Sequence, residues 1–149
     1  MSLEIERKFL VTSKDYRSES KKIDIEQAYF VADENISIRI RIEGLIGSIT
    51  IKTSKTERTN HEFEYTIPID EARYLINKTK YKIIKKTRYL CNYKGKIWEI
   101  DEFKGKHLGL VIAEIELNEE NESFELPSWI GREVTSDPKY RNSNLAKKE

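Results

Sequence analysis

The feature that most limits the fold of this chain is a strict alternation of apolar and polar residues. From Ile36 to Glu43 it runs unbroken. Ile36, Ile38, Ile40 and Ile42 fall on one side, and Ser37, Arg39, Arg41 and Glu43 on the other. Successive side chains of a β-strand point to opposite faces, so this pattern is a strand with one apolar and one charged face. The same rhythm returns at 48–53, with Ile49 and Ile51 opposite Thr50 and Lys52, and at 61–67, with Phe63, Tyr65 and Ile67 opposite Glu62, Glu64 and Thr66.

Further strands are predicted over 3–11, 23–32, 82–92, 96–103 and 109–117. Gly44 with Gly47, Lys94-Gly95 and Lys104-Gly105-Lys106 mark the turns. Proline occurs only at 68, 127 and 138, outside every predicted strand interior. Pro68 and Asp70 signal a stop and a cap, and residues 71–79 fit a short helix. Residues 128–131 read as an anchoring turn. Asp137-Pro138 opens a last helix that runs through Leu145 and Ala146. The expected architecture is a single domain over 1–149, mainly β with a few short helices. Sequential hairpins imply antiparallel pairing, and eight strands suffice to close a barrel.

An ordinary sandwich, apolar face in and charged face out, accounts for each strand taken alone. The set of strands argues for something else. Charged residues recur as i, i+2 pairs: Glu4/Glu6, Arg39/Arg41, Glu62/Glu64, Lys86/Arg88 and Glu114/Glu116. Each pair has one sign and places like charges about 7 Å apart on one face, which costs energy unless a counter-charge binds there. A barrel with the charged face inward resolves the cost. Its basic strands would hold a polyanion, and its paired carboxylates a hard divalent cation that prefers oxygen ligands. The apolar outer faces would then need covering by helices or by a second copy in a homodimer.

Composition narrows the field. Of 149 residues, 36% are charged, yet 27 Lys and Arg face 26 Asp and Glu, leaving a net charge of +1. A nucleic-acid binder working through a basic surface carries a clear excess, so nucleic acid is not the expected partner. Mean hydropathy is −0.68 and no long apolar run exists, so no membrane-spanning helix is expected. The charged N-terminal stretch does not read as a signal peptide, and the lone Cys91 has no disulfide partner. A reducing cytoplasm is the expected setting. His61 and His107 stand apart, and no Ser/His/Asp or Cys/His set is supported.

Glu4-Ile5-Glu6-Arg7-Lys8 matches an E-x-E-x-K signature, and its successors follow in order. They are Gln27-Ala28-Tyr29, Ile38-Arg39-Ile40-Arg41, Thr50-Ile51-Lys52, Glu62-Phe63-Glu64-Tyr65, Lys86-Thr87-Arg88-Tyr89, Trp98-Glu99-Ile100-Asp101 and Ala113-Glu114-Ile115-Glu116-Leu117, then a tail of Gly131-Arg132-Glu133-Val134-Thr135 with Asp137, Tyr140, Asn142 and Leu145. In this set the chain resembles the CYTH superfamily of triphosphate tunnel metalloenzymes, in its short bacterial branch. The resemblance covers nearly the whole chain. It implies an eight-stranded antiparallel, closed or nearly closed tunnel that cleaves a phosphoanhydride bond with water, using Mg²⁺ or Mn²⁺. Inorganic tripolyphosphate is the expected substrate. Thiamine triphosphate hydrolysis, a class IV adenylate cyclase converting ATP to cyclic AMP and pyrophosphate, and a non-catalytic polyphosphate-binding module are the alternatives.

The resemblance also implies roles. Lys8, Arg39, Arg41, Lys52, Lys86 and Arg88 would bind the triphosphate, Arg as a planar fork and Lys as a point charge. Tyr29 would hydrogen-bond Lys8 and tune it. Glu4, Glu6, Glu114 and Glu116 would be metal ligands, with Asp101, Glu62 and Glu64 as further ones. A metal near Glu4 and Glu6 would polarise the attacking water, which makes Glu4, Glu6, Lys8 and Tyr29 the expected catalytic group. Two departures stand out. Thr53 replaces the glycine that often follows T-I-K, so the loop to Arg58 differs, with Arg58 read as a solvated loop residue or, alternatively, an extra phosphate ligand; and His107-Leu108 occupies a turn expected to border the tunnel mouth.

Overall fold

The computed structural model describes residues 2–147. Met1, Lys148 and Glu149, at the ends of the expected single domain, lie outside the described residues. Nine strands form in chain order: β1 (Ser2–Val11), β2 (Ser20–Ala32), β3 (Ile36–Glu43), β4 (Ile46–Ser54), β5 (Thr59–Ile67), β6 (Ile84–Tyr93), β7 (Lys96–Phe103), β8 (Val111–Leu117) and β9 (Ile130–Glu133). Two helices join them, α1 (Ile69–Ile76) and α2 (Asn142–Lys147). The strands neighbour one another in the order β5-β4-β3-β2-β6-β7-β8-β1, all antiparallel. β1 then pairs back onto β5, which closes an eight-stranded barrel. Closure removes the free edges an open sheet would expose.

Local chemistry sets the turns. Lys94 and Gly95 both have positive φ, 53° and 79°, which matches the right-handed twist of the hairpin they join. Gly47 belongs to β4 rather than to a hairpin. A Cβ there would stand 2.8 Å from Cβ of Ala72, so the glycine lets α1 lie directly on the strand. α1 begins at Ile69, immediately after Pro68 and one residue before the expected cap at Asp70. Asp70 and Glu71 instead occupy the first turn, where they face the positive end of the helix dipole.

The apolar faces point outward and are covered in three places. α1 puts Ala72 and Ile76 on Ala28, Ile40 and Ile42. Around β1, β6, β7 and β8, Phe9, Tyr16, Tyr89, Trp98 and Trp129 pack edge to face, with Cys91 in the same cluster. α2 seats Leu145 and Ala146 against Tyr29, Ala32, Ile84, Phe103 and Ile112, where β2 ends and β6 begins. On the β1–β5–β4 side, Leu3 and Tyr65 stay exposed beside half-buried Ile49, Ile51 and Phe63.

The C-terminal part differs from expectation. The predicted turn at 128–131 runs into β9, which pairs with β1 at Phe9 and Val11. The predicted last helix splits into a 3-10 turn at Pro138–Tyr140 and α2. Asp137 caps the turn by accepting from the Lys139 amide. No helix among the described residues is long and apolar enough to cross a membrane.

Candidate active site inside the barrel

Register brings the charged faces together. Along β3, Arg39 lies between Tyr29 and Thr50, and Arg41 between Gln27 and Ser48. Lys52 lies between Ser37 and Glu62, Arg88 opposite Asp101, Lys8 opposite Glu114, and Glu6 opposite Glu116. The interior holds a cavity of about 1050 Å³, its mouth included. Ten of the expected site residues line it: Glu4, Glu6, Lys8, Tyr29, Arg39, Arg41, Lys52, Lys86, Arg88 and Glu114.

The basic wall is buried, which is where charges are costly. Arg39 and Arg41 are each 8% exposed, Arg88 6% and Lys86 1%. Burial, with Arg39 and Arg88 adding repulsion, pulls Arg41 down to about 10. Burial also pulls Lys86 down, to about 7, although Asp101 opposes it from 2.7 Å. Arg39 behaves differently: burial acts against its charge, but Tyr29 and Glu4 outweigh that and hold it above its ordinary value. Its Nε is buried with no partner. An orphaned buried donor costs about 1–3 kcal/mol, and an anion entering the cavity would satisfy it.

The acidic wall is crowded. Burial, then Glu114, then Glu4, all push the Glu6 carboxyl well above the usual range. Glu114 is also penalised by burial, but Lys8 and a hydrogen bond with Glu6 bring it down to about 2. Burial would raise Glu4, yet Lys52 at 2.8 Å holds it below its ordinary value. The same contact, with Glu6, holds Lys52 above its ordinary value against its own burial.

Among the described residues, no three carboxylate, imidazole or thiol side chains stand in a ready ligating arrangement. The donor set nonetheless fits a divalent cation. Glu4, Glu6 and Glu114 are oxygen donors that repel one another, and a hard cation such as Mg²⁺ needs only one or two carboxylates besides water and phosphate oxygens.

Other expected residues fall elsewhere. Asp101 is buried and fully engaged: it accepts from Arg88 Nε at 2.8 Å and Nη2 at 3.0 Å, besides its contact with Lys86. Burial would raise its carboxyl, but Lys86 and Arg88 hold it far below the usual range. It therefore braces cations in this structure rather than offering free oxygens to a metal. Glu62 sits 3.8 Å from Lys52, and burial and Glu4 raise it to about 7. Glu64 is exposed and accepts from Thr50, and Glu116 is exposed. None of these four lines the cavity. The expected Lys8–Tyr29 bond is replaced: Lys8 Nζ donates to the Tyr140 carbonyl at 3.2 Å, and Tyr29 faces Arg39. His107 does not border the cavity; its Nε2 meets the Leu145 carbonyl and holds α2.

Several lining residues had no expected role. Glu99 accepts from Arg88 at 3.2 Å and lies two residues before Asp101, so it shares that inward face. Thr135 and Asn142, matched in the tail but given no role there, and Arg141 reach the cavity from the C-terminal segment, where no alternation places them on a face. Arg58, expected either as a solvated loop residue or as an extra phosphate ligand, also lines it, with Nη1 donating to the Glu120 carbonyl.

A family model described as the CYTH domain matches residues 2–148. An inorganic triphosphatase of Acetivibrio thermocellus is 45% identical over 99% of this chain and 95% of its own. One of Nitrosomonas europaea is 34% identical over 96% of each. Among solved structures, the crystal structure of an inorganic triphosphatase superposes with a TM-score of 0.73 at 31% identity, over 100% of this chain and 97% of that one. A Hippeastrum protein described as an adenylyl cyclase with a dominant triphosphatase activity matches at 0.58 and 16% identity, over 78% and 80%, a likeness of fold alone. With the closed barrel and the inward motifs in place, these matches make this chain a member of the CYTH family.

Proposed function

We propose that this chain hydrolyses inorganic tripolyphosphate inside the barrel, with Mg²⁺ or Mn²⁺. The observation that carries this reading is the lining itself. Cations and carboxylates dominate it, and among the described residues Tyr29 is its one aromatic side chain and Ile36 its one aliphatic side chain. A nucleoside or thiamine group needs an apolar surface to stack against, and a bare phosphate chain needs none. Arg39, Arg41 and Arg88 present planar forks to phosphate oxygens, and Lys86 adds a point charge. Lys52 pairs with the Glu4 carboxylate at 2.8 Å and Lys8 with that of Glu114 at 4.0 Å.

Water attacks the terminal phosphorus, the anhydride P–O bond breaks, and pyrophosphate and orthophosphate result. Preplaced cations stabilise the charge that grows on the bridging oxygen, a kind of contribution worth about 10²–10³ in rate per group. A divalent cation held by Glu4, Glu6 and Glu114 would supply charge neutralisation and activate water. The uncovered Leu3, Phe63 and Tyr65 face supports the homodimer expected from the sequence, and sedimentation velocity at micromolar concentration tests it.

The discriminating assay incubates pure protein with tripolyphosphate, ATP or thiamine triphosphate, with Mg²⁺, Mn²⁺ or a chelator. Metal-dependent phosphate release, fastest from tripolyphosphate, is the expected result. Cyclic AMP from ATP, or tight tripolyphosphate binding without turnover under either metal, overturns it.

A further inference from the structure

Arg41 and Lys86 are two buried cations of the site, and each is anchored by a neutral amide. Arg41 Nε donates to Gln27 Oε1 at 2.9 Å. Gln27 Nε2 donates to Asn142 Oδ1 at 3.1 Å. The same Asn142 oxygen accepts from Lys86 Nζ at 3.0 Å. Lys86 and Arg88 then share Asp101. One relay thus runs from β3 through β2 and α2 to β6 and β7. Gln27 is fully buried within it.

The direction of the relay is forced. Arg and Lys only donate, so the Gln27 oxygen must face Arg41 and the Asn142 oxygen must face Lys86. The Gln27 amide nitrogen then has one useful partner, the same Asn142 oxygen. Neither amide can flip without orphaning a buried donor. Neutrality matters too. Among the described residues the Arg41 side chain makes no other hydrogen bond and no ion pair, so its Nη groups and its whole charge remain for a ligand. A carboxylate in the place of Gln27 would fix Arg41 equally well but would spend the charge.

Resting on the triphosphatase reading above, we propose that Gln27 and Asn142 are positioning residues. They aim Arg41 and Lys86 at the phosphate chain, and α2 exists in part to deliver Asn142 to the barrel interior. α2 is fastened for this task. Leu145 and Ala146 are buried, the Ala146 carbonyl accepts from the Lys82 amide, and Asn144 Nδ2 donates to the Pro138 carbonyl. Neither positioning residue needs to touch the reacting atoms.

The test is a pair of double-mutant cycles read on tripolyphosphate affinity, by calorimetry in chelator, with melting temperature recorded for each variant. A hydrogen bond to a charged group is worth about tenfold in an equilibrium. Asn142→Leu is expected to weaken binding about tenfold in the wild-type background and less than about twofold in the Lys86→Met background. Gln27→Met is expected to behave likewise against Arg41→Ala. Gln27→Glu restores the acceptor for Arg41 but faces the Asn142 oxygen with another oxygen, so it rescues only part of the loss. Full, additive losses in both backgrounds overturn the proposal, because a merely structural role does not run through these cations. Unchanged affinity in Asn142→Leu and Gln27→Met overturns it as well. Wild-type protein that neither binds nor hydrolyses tripolyphosphate refutes the functional reading instead.

Discussion

At position 6 a carboxyl is held where burial, Glu114 and Glu4 all oppose its charge. Its folded pKa is raised, so it favours the folded state only below the ordinary carboxylate pKa, and that contribution is lost as pH rises. Glu62, raised to about 7 by burial and Glu4, acts in the same sense between about 4.5 and 7. Metal-free protein is therefore expected to lose stability across this window. Glu6→Gln should raise the melting temperature in chelator at pH 8 by several degrees, while shrinking the gain produced by Mg²⁺; differential scanning fluorimetry reads both. On the basic wall, Arg39→Ala removes an orphaned donor and a fork for phosphate. It should weaken the Michaelis constant or rate for tripolyphosphate by tenfold or more, with little loss of melting temperature. Arg39 and Arg41 were legible in the sequence because period two reveals a face. Glu64 and Glu116 share the same inward parity yet lie outside the cavity lining, because parity carries no information on depth along a barrel. Asp101 had the right parity and depth, and only packing shows that Lys86 and Arg88 already occupy it.

Elements succeed or fail as predictions for similar reasons. β3 and β7 were legible to the residue, since their alternation ends at turn glycines. β9 was not, because four residues are too few to show a period and its pairing with β1 spans most of the chain. α2 is equally short, so its burial depends on a tertiary seat that local pattern does not encode. The contact between α1 and β4 offers a clean separation of fold from site. Gly47→Ala would bring a methyl against Ala72 and the Ile67 carbonyl, costing about 1–3 kcal/mol. Its melting temperature should fall by roughly 3–10 °C, by the scaling for a domain of this size. The Michaelis constant for tripolyphosphate should stay unchanged, since Gly47 does not line the cavity.

For the whole molecule, near-neutrality conceals a separation of charge: Arg39, Arg41, Lys86 and Arg88 on one side of the cavity, Glu4, Glu6 and Glu114 on another. A ligand that brings a polyanion and a cation together relieves both sides. Tripolyphosphate with Mg²⁺ at a hundred times its dissociation constant should add about 2.7 kcal/mol of stability, a rise of about 5–10 °C in melting temperature. Mg²⁺ alone or tripolyphosphate alone should each give less, and equal shifts from either component would contradict the shared site. The closing of the barrel has a consequence for how such a protein comes into being. The seam joins Ser2–Ile5 to Thr59–Glu62, and the other edge of β1 joins residues 112–117. Contacts of such long sequence separation form late and slowly. Glu4 and Glu6 ride on that strand, so their meeting with Lys52 and Glu114 waits on the slow closure of the barrel. On the site proposed above, the sealing of the barrel and the completion of the phosphate and metal site are expected to be one and the same event.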